Sequence, residues 1–177
     1  MKPEESLHHS RFLLIPLYLF ALIISCEKDE ENPDYVGKWA VTSSISFDDQ
    51  IMGYQDIYTF SKSSFSELQQ LKDPDTNEWI DLFGLKGSIS SDGYVLNFTV
   101  NQIGLSTADR ITGMPTGNMV YYTDGQVGFS TLMSDLGMEK IFKVEYNVSE
   151  NTMTLLYDYN GDEDYNDEGE MVIYLKI

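Results

Sequence analysis

The feature that most constrains this chain is an apolar–polar alternation of period two that recurs between turn signals. In Tyr94–Asn101, Tyr94, Leu96, Phe98 and Val100 fall on one side, and Asn97, Thr99 and Asn101 oppose them. In Ile141–Val148, Phe142, Val144, Tyr146 and Val148 oppose Lys143, Glu145 and Asn147, and near the end Met171, Ile173, Leu175 and Ile177 share a side. Side chains alternate across a strand, so this pattern describes sheets with one face in a core. Strands are expected at Val36–Phe47, Tyr54–Ser61, Ser64–Leu71, Trp79–Leu85 with Lys86–Ser90, Tyr94–Ile103, Met119–Thr123, Gly128–Met133, Met138–Val148, Thr152–Asp158 and Glu170–Ile177. Turn residues separate them: Lys62-Ser63, Asp73-Pro74-Asp75-Thr76-Asn77, Ser91-Asp92-Gly93 and Ser149-Glu150-Asn151. Ser106–Asn118 is expected to be the longest loop of the middle region, with a helical turn starting at Ala108-Asp109-Arg110. Hairpin spacing of this kind points to an all-β barrel or sandwich.

The amino terminus is of another kind. Phe12 to Ile24 is an apolar run of 13 residues interrupted by Pro16 and Tyr18, preceded by Lys2 and Arg11. As a helix it would span roughly 20 Å at about 1.5 Å per residue, short of a hydrocarbon core of about 30 Å. The length suits the apolar region of a cleaved export signal. The run ends in Leu22-Ile23-Ile24-Ser25-Cys26, which resembles the lipobox of bacterial lipoproteins: an aliphatic residue, a small residue before the cut, then the cysteine that receives lipid. Each buried methylene contributes about 0.8 kcal/mol, so two or three acyl chains such as palmitate hold where one would not. Cys26 is the only cysteine, so it has no partner for an internal disulfide. The expected division is therefore a signal peptide over 1–25, a tether over 26–34 with lipid on Cys26, and one folded domain over 35–177. Glu27-Lys28-Asp29-Glu30-Glu31 is similar to the signal that places Bacteroidetes lipoproteins on the outer face of the outer membrane. That resemblance implies an outer-membrane protein, lipid-anchored and facing the cell surface.

Charge and residue types exclude several functions. Asp and Glu number 29 against 11 Lys and Arg, a formal net charge of −18. A field of that sign opposes phosphate backbones, so nucleic acid is not an expected partner. Both histidines, His8 and His9, lie in the segment expected to be removed, and Cys26 is consumed by lipid. Ser-His and Cys-His catalysis and His/Cys zinc sites are thereby ruled out for the mature chain. Carboxylate chemistry remains, yet no pair stands out among so many acids, and no cofactor is implied.

Val36-Gly37-Lys38-Trp39-Ala40-Val41-Thr42 opens the first strand. Its Gly-x-Trp is similar to the first-strand motif of lipocalins and to the lipocalin-like domains that follow the lipid cysteine in many Bacteroidetes lipoproteins. Tyr58-Thr59-Phe60 with Phe65, Gly87-Ser88-Ile89 with Asp92-Gly93 and Leu96, Thr154-Leu155 and Tyr174-Leu175-Lys176 fit the same pattern. The resemblance implies an antiparallel up-and-down β-barrel that binds a small apolar or carbohydrate ligand without catalysis. It also implies that Trp39 closes the base, that Gly37 lets the chain pass beside it, and that a late basic residue, here Lys176, packs over the indole.

Three candidate sites follow. Trp39, Tyr58, Phe60, Phe98, Phe142 and Tyr146 would line a barrel cavity, or the same rings would fill the core. Asp158, Asn160, Asp162 and Asp164 alternate as calcium ligands do, but Gly161 and Gly169 are out of register with an EF-hand, so a solvated acidic loop is the alternative. Tyr121, Tyr122 and Trp79 would offer stacking surfaces for sugars, or serve as ordinary strand residues. A large exposed apolar patch would instead mark an accessory subunit of a surface complex.

Overall fold

The computed structural model describes residues 32–177 apart from 48, 49, 159–161, 163, 164, 166 and 168. The expected signal peptide, Cys26 and the expected tether up to residue 31 lie outside the described residues. Nine strands and one short helix make up the rest: β1 Gly37–Phe47, β2 Gln50–Phe60, β3 Ser64–Lys72, β4 Trp79–Asp92, β5 Val95–Ala108, β6 Pro115–Thr123, α1 Val127–Asp135, β7 Ile141–Ser149, β8 Thr152–Leu156 and β9 Met171–Lys176. All pairings are antiparallel. The sheet runs β4-β3-β2-β1-β9-β8-β7-β5-β6, and the additional β4–β5 pairing closes it. Eight strands thus form the expected up-and-down barrel, and closure pairs both margins of its wall. β6 is the supernumerary strand. The first half of β5 pairs with β7 (Val95↔Glu145 to Thr99↔Ile141), and its second half pairs with β6 (Gln102↔Thr123 to Ala108↔Pro115).

Two glycines show why these strands can bend into a barrel. β4 is one continuous strand, and its register to β5 shifts between Lys86 and Gly87. A Cβ on Gly87 would stand 2.0 Å from the Thr99 carbonyl oxygen and 2.7 Å from the Phe65 ring, so the bulge admits glycine alone. Gly93, at φ +63°, is the first residue of the two-residue turn between Asp92 and Val95, the position where a type II′ hairpin wants glycine.

The core is the inner face of the barrel. Leu96, Phe98 and Val100 of β5 are buried, as their alternation requires, with Leu85 and Ile89 of β4, Val144 of β7 and Met153 and Leu155 of β8. On β9 the expected row faces the other way. Met171, Ile173, Leu175 and Ile177 do share a side, but it is the outer one, at 50–62 % exposure. The inner side carries Tyr174, which is buried, and Val172. Two partners explain the choice: the Tyr174 hydroxyl donates to Asp56 inside the barrel, and Lys176 lies over Trp39.

Two further segments differ from expectation. Gly128–Met133 belongs to α1, not to a strand. Phe129 and Met133, four apart, bury one helical face, and Gly128 sits against the Tyr122 ring, where a Cβ would clash at 2.2 Å. Gly137, at φ +63°, ends the helix, with Met138 N–H donating to the Met133 carbonyl at 2.8 Å in a Schellman-type closure. The loop around Ser106–Asn118 is also shorter than expected. β5 runs to Ala108, and the Asp109 carboxylate accepts from the amides of Ile111 and Thr112, both at 2.9 Å, which folds a compact turn where a helical turn was expected.

Candidate functional site

The base of the barrel is closed as the Gly-x-Trp motif implies. Trp39 is completely buried, and its indole N–H donates to the Tyr35 carbonyl at 2.8 Å. Lys176 pairs with Trp39 across the β1–β9 seam, and its ammonium lies 5.2 Å from the indole centroid. A Cβ on Gly37 would come within 3.3 Å of Lys176 Cε and 3.6 Å of the indole nitrogen, so the close passage uses glycine. Tyr35 seals the rest: its hydroxyl donates to the Lys62 carbonyl at 3.1 Å, and its ring meets Phe60 and Tyr146 edge-on.

The six aromatics singled out from the sequence come together above this base. Tyr58 stacks on Phe60 with centroids 5.2 Å apart, and Phe98 stacks on Phe142 at 4.7 Å. Phe98 also meets Tyr58, Phe60 and Phe65 at 4.9–6.4 Å. Trp39, Tyr58, Phe60 and Phe98 are buried, while Phe142 and Tyr146 are half-buried. These rings are one another's neighbours and form a continuous apolar wall.

Beyond the aromatic wall lies a group of polar side chains that the sequence did not single out. Asp56 on β2 and Glu67 on β3 both point inward and are buried, at 7 % exposure each. Tyr58 donates to Glu67 Oε2 at 2.9 Å, and Gln69 Nε2 donates to Glu67 Oε1 at 2.7 Å. Tyr174 donates to Asp56 Oδ2 at 2.7 Å, and its ring meets Tyr58 at 5.5 Å. Asp56 Oδ1 is shielded from solvent, and among the described residues no side chain donates to it. Tyr54, half-buried, feels the charges of Asp56 and Glu67, and Tyr157, also half-buried, lies close enough to act on Tyr58 and Tyr174. The Tyr157 N–H donates to the Glu170 carbonyl at 2.7 Å, which carries the β8–β9 ladder one step past Leu156↔Met171. By alternation Glu170 falls on the side of Val172 and Tyr174, and it too is buried, at 2 % exposure.

Burial sets the electrostatics. It pushes the Asp56 carboxyl up, against the lowering effect of the Tyr174 hydrogen bond. It pushes Glu67 up as well, reinforced by the charge of Asp56 and opposed by Gln69 and Tyr58. The phenols of Tyr54, Tyr58 and Tyr174 are raised, chiefly by burial, and stay protonated donors at neutral pH. The group therefore presents carboxyls poised between neutral and charged forms, fixed hydroxyl donors and aromatic faces. The signal was present in the sequence. Asp56 sits in the inward row Tyr54, Asp56, Tyr58, Phe60, and Glu67 sits between Phe65 and Leu71. An acid at an apolar-face position of a strand is the mark of a buried polar group.

The other candidates fare differently. Asp162 N–H donates to the Asp158 carboxylate at 3.1 Å, whereas Asn160 and Asp164 lie outside the described residues. Among the described residues no three Asp, Glu, His or Cys side chains converge as a metal site would. Tyr121 lies across Gly84 and Gly104, with the Lys86 ammonium 4.3 Å from its centroid, and Tyr122 packs on α1. Both rings are used in packing. Trp79 is 36 % exposed beside Lys72. A groove of about 330 Å³ runs between α1 and the outer end of β5–β6, lined by Leu105, Val120, Tyr122 and Leu132 among others.

No family model matches the chain, and no curated protein matches it in sequence. Among solved structures, it is similar to a lipocalin-like protein from Bacteroides uniformis ATCC 8492, at 17 % identity and a TM-score of 0.40. The likeness covers 82 % of this chain and 100 % of that one.

Proposed function

We propose that this chain is a lipid-anchored, lipocalin-like binding protein of a bacterial outer membrane, facing the cell surface and holding a small apolar or carbohydrate ligand without transforming it. The observation that carries the reading is the interior itself. One closed barrel presents a continuous aromatic wall and, next to it, buried hydrogen-bonding groups on β2, β3 and β9. Small-molecule sites are mostly apolar with a few convergent polar groups, and a barrel of eight strands is wide enough either to be filled by its own side chains or to hold one small ligand. The anchor rests on Leu22-Ile23-Ile24-Ser25-Cys26 and the acidic run after it.

Two experiments test the two halves. Labelling cells with an alkyne palmitate analogue should tag the wild-type chain and not Cys26→Ser, and an untagged wild type overturns the anchor. Titrating the protein with apolar fluorophores and a panel of monosaccharides should give a saturable change in tryptophan and tyrosine emission. Absence of saturation with every probe overturns the binding reading.

A second reading, an accessory subunit of an outer-membrane complex, is favoured by one feature, the outward row Met171, Ile173, Leu175 and Ile177. Such a row is the kind of surface that partners cover. Cross-linking in intact membranes from a photoreactive residue at Ile173 should then give one discrete adduct.

A further inference from the structure

We propose that β6 is the contact edge of a homodimer, in which two copies pair antiparallel through Met119 and Tyr121 about a two-fold axis at Val120. The proposal concerns a margin of the sheet and stands apart from the reading of the interior as a binding site.

β6 ends the sheet, with β5 on one side and, among the described residues, no strand on the other. The backbone groups of an antiparallel strand turn alternately toward a given neighbour and away from it. Hydrogen bonds at the end of β6 fix which residues turn away. The Asp124 N–H donates to the Asn101 carbonyl at 2.9 Å, in line with the β5 register, so Val120 and Tyr122 face β5 as well. Thr123 faces outward: its N–H donates to Gln126 Oε1 at 2.7 Å, and its carbonyl accepts from the Gln126 N–H at 3.0 Å. By the same alternation the N–H and C=O groups of Met119 and Tyr121 point to the open side. The edge is blunted at both ends, by Pro115 and the register shift between Ser106 and Ala108 at one and by Gln126 at the other. Over residues 119–121 it is left open.

Backbone groups of this kind call for another strand, and two observations make that strand a second copy. The first is self-complementarity. With Val120 on the axis, Met119 of each copy lies opposite Tyr121 of the other, and each such pair exchanges both of its N–H···O=C bonds. The two Val120 residues then form the close, non-hydrogen-bonded pair, with Cα atoms about 4.5 Å apart. Val120 is 42 % exposed, an apolar side chain suited to packing against itself. The second is charge. A chain of formal net charge −18 repels its own kind except where a surface lacks acids. No Asp, Glu, Lys or Arg occurs from residue 111 to residue 123, so β6 carries none of the charges that guard strand edges. The charged groups that reach Tyr121 are one of each sign, Lys86 over its ring and Asp81 acting on its phenol.

The test is disulfide trapping of the full chain in intact membranes with copper phenanthroline. Val120→Cys should link into a product of twice the chain mass, because the distance across the axis lies in the disulfide range. The wild type and Tyr94→Cys, at a 76 % exposed turn position, should stay unlinked. Val120→Lys sets like charges opposite each other across the axis and should weaken self-association at least about tenfold, read by sedimentation of the full chain in detergent. Met119→Pro removes an edge donor without touching the β5 ladder and should weaken it likewise. A Val120→Cys yield no higher than that of the two controls overturns the inference. So does a linked product made mainly with another protein, or self-association unchanged by Val120→Lys. None of these outcomes bears on ligand binding by the interior. Should Met119→Pro fail to fold by circular dichroism, the two substitutions at the exposed Val120 decide the matter.

Discussion

The hydroxyl of Tyr174 donates to Asp56 at 2.7 Å across the inside of the barrel, joining β9 to β2 over 118 positions of sequence. The contact settles which face of β9 turns inward, and it is the sole side-chain hydrogen bond to Asp56 among the described residues. Tyr174→Phe keeps the ring and removes the donor. It should cost about 1–3 kcal/mol in urea denaturation, the penalty for a buried acceptor left without its partner.

The acids make stability depend on pH. Both Asp56 and Glu67 are raised in the folded protein, so the native state holds more protons than the unfolded chain above the ordinary carboxyl range of about 4. Their contribution is complete below that range and is lost as pH rises toward neutrality through the raised values. Melting temperature measured from pH 4.5 to 8 should fall over this window by more in the wild type than in Asp56→Asn/Glu67→Gln, whose profile should be flatter. The double variant should be the more stable of the two at pH 8, by an amount on the order of a few kcal/mol.

Gly87 stands where β4 and β5 change register, and its missing Cβ leaves room for the Thr99 carbonyl. Gly87→Ala should cost about 4 kcal/mol or more, because backbone and not a movable side chain is in the way. Chemical denaturation monitored by far-ultraviolet circular dichroism checks this, and a loss below 1 kcal/mol would contradict the bulge geometry.

Glu150 turns β7 into β8 at φ +53°, a left-handed conformation that costs a residue with a side chain about 1 kcal/mol. Glu150→Gly should therefore raise stability by roughly 0.5–1 kcal/mol. A urea midpoint shifted upward with unchanged slope is the expected reading.

Lys176 covers the indole of Trp39 from the final strand. Lys176→Ala should let water approach the ring, shift tryptophan emission to longer wavelength and cost about 0.5–1 kcal/mol. Lys176→Arg should retain the emission of the wild type, since a guanidinium stacks at least as well.

What could be read from the sequence depended on whether a pattern was local. The strands of the barrel follow from alternation, because Leu96, Phe98 and Val100 cannot avoid a common face. The roles of Gly37, Trp39 and Lys176 follow from the Gly-x-Trp resemblance, although they meet only across the closing seam. α1 was missed because Gly128–Met133 is a short apolar run, in which helix and strand periods cannot be distinguished. The inner face of β9 was misassigned because its outward residues are more apolar than its inward ones, and what decides the matter is a partner 118 positions away. The acid group escaped notice for a related reason. Asp56 and Glu67 are two acids among 29, and only the β2–β3 register and the barrel's curvature bring them to one place.

The seam between β1 and β9 consists of two pairs, Trp39↔Lys176 and Ala40↔Leu175. A wall completed by so narrow a join between strands so far apart in sequence stays open along one side of β1 until residues 171–176 pair with it. Until then the half-built sheet carries two open margins. Pairing of that one strand is what turns an open sheet into a closed vessel.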